Sequence, residues 1–513
     1  MSNYKTPNRG FSNNLQGPNT LAFRLRRGVS YREKRGSAFL ILNYPLKVII
    51  IDPRWQPVMK AMSGEEFVLF GDIIPLFKGT GPERIEFFLN DLVRKGFLES
   101  RGYSNLHEYP SVSVIIPVRN RPEAISGCLE SLRFVDYPED KLEVLVVDDA
   151  STDNTPDVVS AFPVRLIRLE KNRHASFCRN FAARLAGGDI LAFLDSDCMA
   201  DRFWLKEIIP IFNDPATGAA GGLVDSCYDK KGLDRYEKVM SSLNMGCRSR
   251  SSREGDLFFY VPSCNLLVRR GVFHELEGFK EDQVVGEDVD LCWRLQDKGH
   301  NLEYRPSGRV YHRHRNKLSD FCARRFDYGT SEPILQNAHA ARVKNIILPV
   351  FAASFWFVVL LSFMTGMISL MVICGFVLLA ESVSQLCFVR EKNIPVHPAD
   401  LMVANLRSYI SLPYHLCAFF SRYYLLWSLL FVFVLPDISA LIFAMHLVTG
   451  VAEYVIKRPD LNFPVFFLFF TVDQLCYQSG VWVGCFKRRF FGPVNPRIRQ
   501  KSFQGGLRWS DQY

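Results

Sequence analysis

Four apolar runs constrain this chain more than any other feature: VSVIIPV (112–118), LEVLVV (142–147), VRLIRL (164–169) and ILAFLD (190–195). Each is short, β-branched and almost continuously hydrophobic, as expected of a strand buried on both faces of a parallel sheet. Between the first two, RPEAISGCLESLRF opens a helix at Pro122 and places Ile125, Cys128, Leu129 and Leu132 on one face. ASFCRNFAARLA repeats that pattern before the fourth run. The alternation predicts a doubly wound α/β domain.

In such sheets ligands bind beyond the carboxyl ends of the strands. Two of the runs lead there into paired carboxylates, Asp148 with Asp149 and Asp195 with Asp197, and GEDVDLCWRL (286–295) adds more acidic groups. Carboxylates one residue apart repel, and a divalent cation bridging a diphosphate offsets this, because Mg²⁺ takes carboxylate and phosphate oxygens together. A lone D-x-D is more often a turn or a helix cap. Its place at the end of a buried strand is what gives this one a functional reading.

The rest of the chain divides by composition. Residues 1–30 read as a disordered basic arm. Residues 31–105 form a small unit, with strand-like AFLILNYPLKVIIID followed by a helix that presents Ile85, Phe88, Leu89, Leu92 and Val93 on one face. The α/β domain extends over 111–340, a hydrophobic membrane region over 346–486 and a basic tail over 487–513. The net charge of +9 is concentrated at the ends, with +7 in residues 1–36 and +6 in 487–513, which leaves −4 between them. A nucleic-acid binder would carry its basic charge on the folded domain; basic ends around an acidic core suit anionic lipid headgroups. Thirteen cysteines without a C-x-x-C pair argue for reduced thiols and against a zinc ribbon or a disulfide scaffold. With no apolar h-region at the N-terminus, the soluble part is expected in the cytoplasm.

Five apolar blocks are candidates for membrane helices: two within 346–386, divided near MTGM, then 412–435, 438–456 and 463–486. Four spans return Lys457 and Arg458 to the cytoplasm, whereas a fifth would export Lys487, Arg488 and Arg489 against the positive-inside tendency. The last block also carries Asp473, Gln474 and Gln478, so it is expected in the interface or against protein. Interfacial helices throughout are the alternative, because Arg422 and Glu453 are costly in mid-bilayer.

SVIIPVRNRPEAISGCLESL, EVLVVDDAS, RHASFCRNFAARLAGGDILAFLDSD and VGEDVDLCWRLQDKGH resemble, in order and spacing, a family-2 glycosyltransferase of the GT-A fold. The resemblance implies an inverting transfer from a nucleotide-sugar, UDP-glucose by family likeness, with a divalent metal (Mg or Mn). It places Pro117 and Asp149 against the nucleoside, Arg179 near the diphosphate, Asp195 and Asp197 in the D-x-D, with Asp197 as the direct metal ligand, and Asp288 as the catalytic base. His312, in VYHRHR, resembles a late histidine that completes the metal shell in some relatives. Inverting chemistry asks for these groups: one carboxylate to take the acceptor's proton and a cation to stabilise the departing diphosphate.

Over nearly the whole chain, DRYEKVMSSLNMG, YVPSCNLLVRRGVF, YHRHRNKLSDFCARRFDYGTS and VDQLCYQSGVWVG are similar to the glycosyltransferases of the mycofactocin system, which decorate a peptide-derived redox cofactor. Residues 31–105 are similar to small winged-helix domains that bind peptide precursors. Processive polysaccharide synthases show Q-x-x-R-W after the base motif. Here CARRF (322–326) keeps Arg325 and an aromatic but has Cys322 for the Gln, which weakens a processive reading. The rival acceptor is a lipid or an envelope polysaccharide. The rival of another class is a non-catalytic membrane binding or transport protein with a degenerate transferase domain.

Overall fold

The computed structural model describes residues 21–43, 46–77, 80–103, 106, 108–314 and 317–501. The expectations for residues 1–20 and 502–513 lie outside them. The N-terminal unit contains β1 (Ala22–Leu25), β2 (Val29–Lys34), β3 (Ser37–Asn43), β4 (Leu46–Ile51), α1 (Gln56–Ala61), β5 (Val68–Leu69), α2 (Phe70–Ile73), α3 (Pro82–Arg94) and β6 (Leu98–Arg101). It starts earlier than residue 31, because β1 buries Ala22 and Phe23 and pairs with β5 and β6. Residues 22–30 therefore belong to a folded sheet and not to the basic arm. Strands β2, β3 and β4 make a second antiparallel sheet.

The apolar run in β3 has a two-sided explanation. Ala38, Leu40 and Leu42 face a core completed by Ile85, Leu89 and Leu92 of α3. Phe39 and Ile41, on the other face, join Leu46 and Val48 against Val389, Ile394, Val396 and Leu401 of the C-terminal region. From α3, Arg94 approaches Glu303 of the central domain at 3.9 Å, and Arg305 donates to Asn90 at 3.3 Å. The unit thus bridges the other two parts of the chain.

The central domain comprises β7 (Val112–Val118), α4 (Pro122–Leu132), β8 (Leu142–Asp148), α5 (Thr155–Ser160), β9 (Arg165–Arg168), α6 (His174–Leu185), β10 (Ile190–Leu194), β11 (Cys198–Ala200), α7 (Trp204–Ile208), β12 (Thr217–Ser226), α8 (Gly232–Met240), β13 (Arg250–Ser251), β14 (Asn265–Arg269), α9 (Arg270–Glu275), α10 (Glu287–Asp297) and β15 (Asn301–His312). Its sheet runs β11-β15-β12-β14-β10-β7-β8-β9, with β13 on β15. The four runs seen in the sequence are the parallel strands β7, β8, β9 and β10. The remainder is mixed, since β14 is antiparallel to both β10 and β12. Alternate residues feed two cores: Val114, Ile116, Ala192 and Leu194 face α4 and α7, while Ile115, Leu191 and Phe193 face α6 and α10. Strand order reverses between β7 and β10, and a crevice opens at their carboxyl ends, where doubly wound sheets take ligands.

The C-terminal region consists of α11 (Leu318–Ala338), β16 (Asn345–Pro349), α12 (Val350–Thr365), α13 (Met371–Glu391), α14 (Pro398–Leu430), α15 (Pro436–Lys457), α16 (Phe463–Arg488) and β17 (Arg497–Lys501), the last paired in parallel with β16. Two helical segments, Ile368–Glu391 and Pro436–Lys457, are long and apolar enough to cross a membrane, and α12 is apolar but shorter. The block at 463–486 lies against protein. Phe466 and Phe470 of α16 pack with Leu233 and Tyr236 of α8 and Phe321 of α11.

Helices α11 and α16 approach backbone to backbone. A Cβ on Gly329 would collide with the Tyr477 carbonyl oxygen, and one on Gly480 with that of Phe326. Overpacking of this kind costs about 1–3 kcal/mol. Gly480→Val is therefore expected to lower the midpoint of thermal inactivation in detergent and to reduce activity. Gly375→Ala, in open space on α13, should leave both unchanged. Equal inactivation of the two variants would contradict the close helix contact.

Candidate active site

The carboxyl ends of β7, β8 and β10 and the first turn of α10 open on a cavity of ≈ 980 Å³. Pro117, Asp149, Arg179, Asp195, Asp197, Asp288 and His312 all line it. Strand register explains part of this convergence. Cys198 of β11 lies opposite His312 of β15, which brings the residue before Cys198 to an imidazole more than a hundred residues away. His312 Nε2 is 3.4 Å from Asp197 Oδ1, and Arg121 donates to Asp197 Oδ2 at 2.5 Å. Burial pushes the Asp197 pKa up, but His312 and Arg121 outweigh it and leave it below the ordinary carboxylate value. Behind His312, burial, aided by His312 and Arg325, lowers the pKa of His314 to about 3. The two Nδ1 atoms are 3.2 Å apart. That pairing admits the tautomer in which His312 keeps Nε2 unprotonated toward Asp197, as metal ligation requires.

These donors fit a divalent cation. Asp197, Cys198 and His312 place one ligand atom each within 4.8 Å of one another. Of the three, the Cys198 thiol is the poorest ligand, because burial, with Cys264 adding, raises its pKa well above the usual value. The carboxylate and the imidazole would hold the ion.

Arg179 is almost fully buried on α6 and divides its guanidinium between Asp195 (2.6 Å) and Glu287 (3.0 Å). Burial alone would lower its pKa, yet these carboxylates raise it. Asp149 accepts from the backbone N–H groups of Arg173 (2.6 Å) and His174 (3.0 Å), so its carboxylate holds the start of α6 while forming part of the cavity wall.

Asp288 lies in the first turn of α10, where a helix N-terminus favours an anion. Its Oδ2 accepts from the Ser263 N–H at 3.1 Å and its Oδ1 from the Val289 N–H at 2.8 Å. Burial nevertheless dominates and raises its pKa. For the same reason, with Asp288 adding, neighbouring Glu287 is raised to about 7. A carboxylate whose pKa is raised above the ordinary range is better matched to general-base chemistry. Asp290 cannot share that role. Although burial opposes it, His339, Arg294 and Lys280 lower its pKa to about 2.

The opposite wall comes from the C-terminal region and was not foreseen. Arg324, Arg325 and Tyr328 of α11, Arg422 of α14, and Asp473 and Tyr477 of α16 all line the cavity. Arg325, the one match to the processive motif besides Phe326, is bound to Glu237 (2.6 Å) and Asp473 (3.1 Å). Arg422 sits 3.7 Å from the Tyr477 ring centroid. The signal for this wall was present in the sequence, as charged residues inside apolar blocks. Arg121 was also missed, although it lies only four residues beyond Pro117.

Residues 113–277 match the family described as glycosyl transferase family 2. The chain is 29% identical over 399 residues to a pre-mycofactocin glycosyltransferase of Mycobacterium tuberculosis, a match covering 76% of this chain and 82% of that protein. It is 33% identical over 202 residues to the glycosyltransferase AglE of Haloferax volcanii, covering 38% of this chain and 64% of that one. Among solved structures, a mannosyltransferase of Pyrobaculum calidifontis in complex with GDP-Man and Mn²⁺ is 18% identical, with 63% and 94% of the two chains covered and a TM-score of 0.37. S. aureus TarS 1–349 in complex with UDP-GlcNAc is 19% identical, with 43% and 67% covered and a TM-score of 0.32. Residues 113–277 thus form a family-2 glycosyltransferase domain of the GT-A fold, and the chain, a hexosyltransferase, resembles the pre-mycofactocin enzyme. The reading as a non-catalytic binder gives way to it.

Because Asp288 must be ionised to act as a base and its pKa is raised, kcat/KM should fall as pH drops through a value above the ordinary carboxylate pKa of about 4. A pH–rate profile checks this, and Asp288→Asn should flatten the acid limb. A limb at the ordinary carboxylate value in the wild type would place the base elsewhere.

Proposed function

We propose that this family-2 glycosyltransferase moves glucose, with inversion, from UDP-glucose to a mycofactocin-type, peptide-derived acceptor. The observation that carries the reading is that Asp288 and the Asp197–His312 pair face one cavity. In the proposed reaction, Asp288 accepts the proton of the acceptor hydroxyl while that oxygen bonds to the anomeric carbon. The bond from this carbon to the donor's diphosphate breaks on the opposite side, and the nucleoside diphosphate leaves with the bonding electrons. No covalent sugar–enzyme bond forms, hence the inversion. A divalent cation at Asp197 and His312 would supply positive charge for the departing diphosphate. Pro117 and Asp149, on the far wall, are assigned to the nucleoside. Arg179 is assigned a positioning role, holding Asp195 and Glu287 in place beside the diphosphate.

The mycobacterial relative acts, by its name, on pre-mycofactocin, and its match extends well beyond the catalytic domain, which favours a similar acceptor here. The N-terminal unit is proposed as a winged-helix-like peptide-capture module. Among the described residues, β2 pairs on one edge only, which leaves an edge for strand addition. Nucleotide-sugars are cytosolic, so the catalytic domain is assigned to the cytoplasmic side of a membrane. A lipid or envelope-glycan acceptor is the second reading, favoured by the part that C-terminal helices play in walling the cavity.

Incubation with a panel of nucleotide-sugars, following nucleotide release with and without each acceptor class, separates these readings. UDP-glucose with a peptide-derived acceptor should turn over fastest, and preference for a lipid acceptor would select the second reading. Asp288→Asn should cost on the order of 10²–10⁴ in rate with little change in donor affinity. Exhaustive chelation should abolish transfer and added Mg²⁺ or Mn²⁺ should restore it, while Asp197→Ala should weaken donor binding as well as turnover. Undiminished transfer after chelation would remove the metal from the mechanism.

A further inference from the structure

Two helical hairpins, α12–α13 and α14–α15, end in tips of unusual composition. Phe363 is 87% exposed and Ile368 83% in the first tip; Phe433 is 96% exposed and Val434 72% in the second. No charged residue occurs from Asn345 to Ala380, and Asp437 is the one charge between Arg422 and Glu453. Several polar groups of both turns are satisfied from within. Ser362 donates to the Met367 carbonyl at 3.0 Å and Thr365 to that of Leu361 at 2.8 Å. In the second turn the N–H groups of Val434 and Leu435 both donate to the Phe431 carbonyl. Turns built this way are compatible with hydrocarbon, where no water is present to pair a free N–H or C=O.

The first hairpin's far end, at Val389, packs with Leu401 against Phe39 and Ile41 of the N-terminal unit, and the base of the second lies at the catalytic cavity. Arg422 lines the catalytic cavity. Glu381 accepts from Tyr409 at 2.6 Å and Glu453 from Tyr414 at 2.6 Å. From Arg422 to Leu435 the helix advances ~20 Å, against the ~30 Å of a hydrocarbon core. Helix α12, at 16 residues, reaches only ~24 Å. The second hairpin therefore cannot place its tip in water on the far side while Arg422 lines the cavity, and α12 is shorter than a span, although the other arms, Ile368–Glu391 and Pro436–Lys457, are long enough to cross. The ends that face the protein carry Arg390, Lys392, Lys457 and Arg458, which complement anionic headgroups.

We propose that both hairpins are re-entrant: they dip into one leaflet from the side of the catalytic domain and return, without crossing. The occupant of their exposed apolar faces is the hydrocarbon of that leaflet, with anionic headgroups at the basic ends. This deepens the membrane assignment made above and replaces the four spans expected from the sequence. Asp437 opposes insertion, and the five adjacent apolar residues Phe431 to Leu435 favour it.

The test uses full-length Phe433→Cys protein bound to preformed vesicles of phosphatidylethanolamine and phosphatidylglycerol and recovered by flotation. A membrane-impermeant maleimide is supplied either outside or trapped in the lumen, and peptide mass mapping reads each site. Native Cys247, exposed on the catalytic domain, serves as the aqueous control. Position 433 should react at least about tenfold less than Cys247 from outside, not at all from the lumen, and fully once detergent removes the lipid. Lumenal labelling would show a crossing helix, and external labelling as strong as that of Cys247 on floated protein would show a tip in water; either overturns the proposal. Failure to float would remove the membrane assignment itself while leaving glycosyl transfer untouched.

Discussion

The structure depends on one buried cation. A cavity that gathers Asp195, Asp197, Glu287 and Asp288 concentrates negative charge, and two like charges 4 Å apart repel by about 4 kcal/mol even at an effective dielectric of 20. Arg179 answers this from within, with one arm on Asp195 after β10 and the other on Glu287 at the start of α10. It thereby ties the D-x-D to the helix that presents Asp288. Arg121 plays the matching part on Asp197. The two arginines divide the work, and neither touches Asp288. That carboxyl remains buried without an ion pair, so its pKa rises instead of falling.

Local rules made half of this site legible in the sequence. Acidic residues that follow buried strands mark the crevice, and Asp149, Asp195 and Asp197 line it as that rule expects, while Asp288 reaches it from the first turn of α10. His312 was legible only through a family likeness, because its approach to Asp197 depends on the β11–β15 register, which no local pattern encodes. The antiparallel half of the sheet was equally hidden. Strands such as β12 (TGAAGGLVDS) are rich in glycine and alanine and lack the β-branched signature. The onset of the N-terminal unit was misplaced because β1 is four residues long and flanked by arginines, a composition that reads as a basic arm.

Polar residues within the apolar blocks were legible as anomalies, but not as a site. Arg422, Asp473, Gln474 and Gln478 looked like costs to a membrane helix. In the structure each has a local reason. Arg422 and Gln474 wall the cavity, Asp473 accepts from Tyr236 and pairs with Arg325, and Gln478 accepts from the Leu426 N–H. Hydrophobicity scales price a residue against lipid, whereas these residues face protein. The same distinction explains β3, whose unbroken apolar run is buried on one face by its own unit and on the other by residues 389–401.

A chain of polar contacts joins Asp197 and His312 to the C-terminal helices. It runs from Asp197 through His312, His314, Glu237 and Arg325 to Asp473 on α16 and Tyr236 on α8. Every member before Tyr236 is titratable or charged, and most are buried, so each requires its neighbour to offset its desolvation. The glycine contact between α11 and α16 fixes the spacing over which this chain can close. Catalytic domain and C-terminal helices therefore form one electrostatic unit. A molecule bound in this cavity therefore meets a wall built from those helices, so their side chains help to define what fits there.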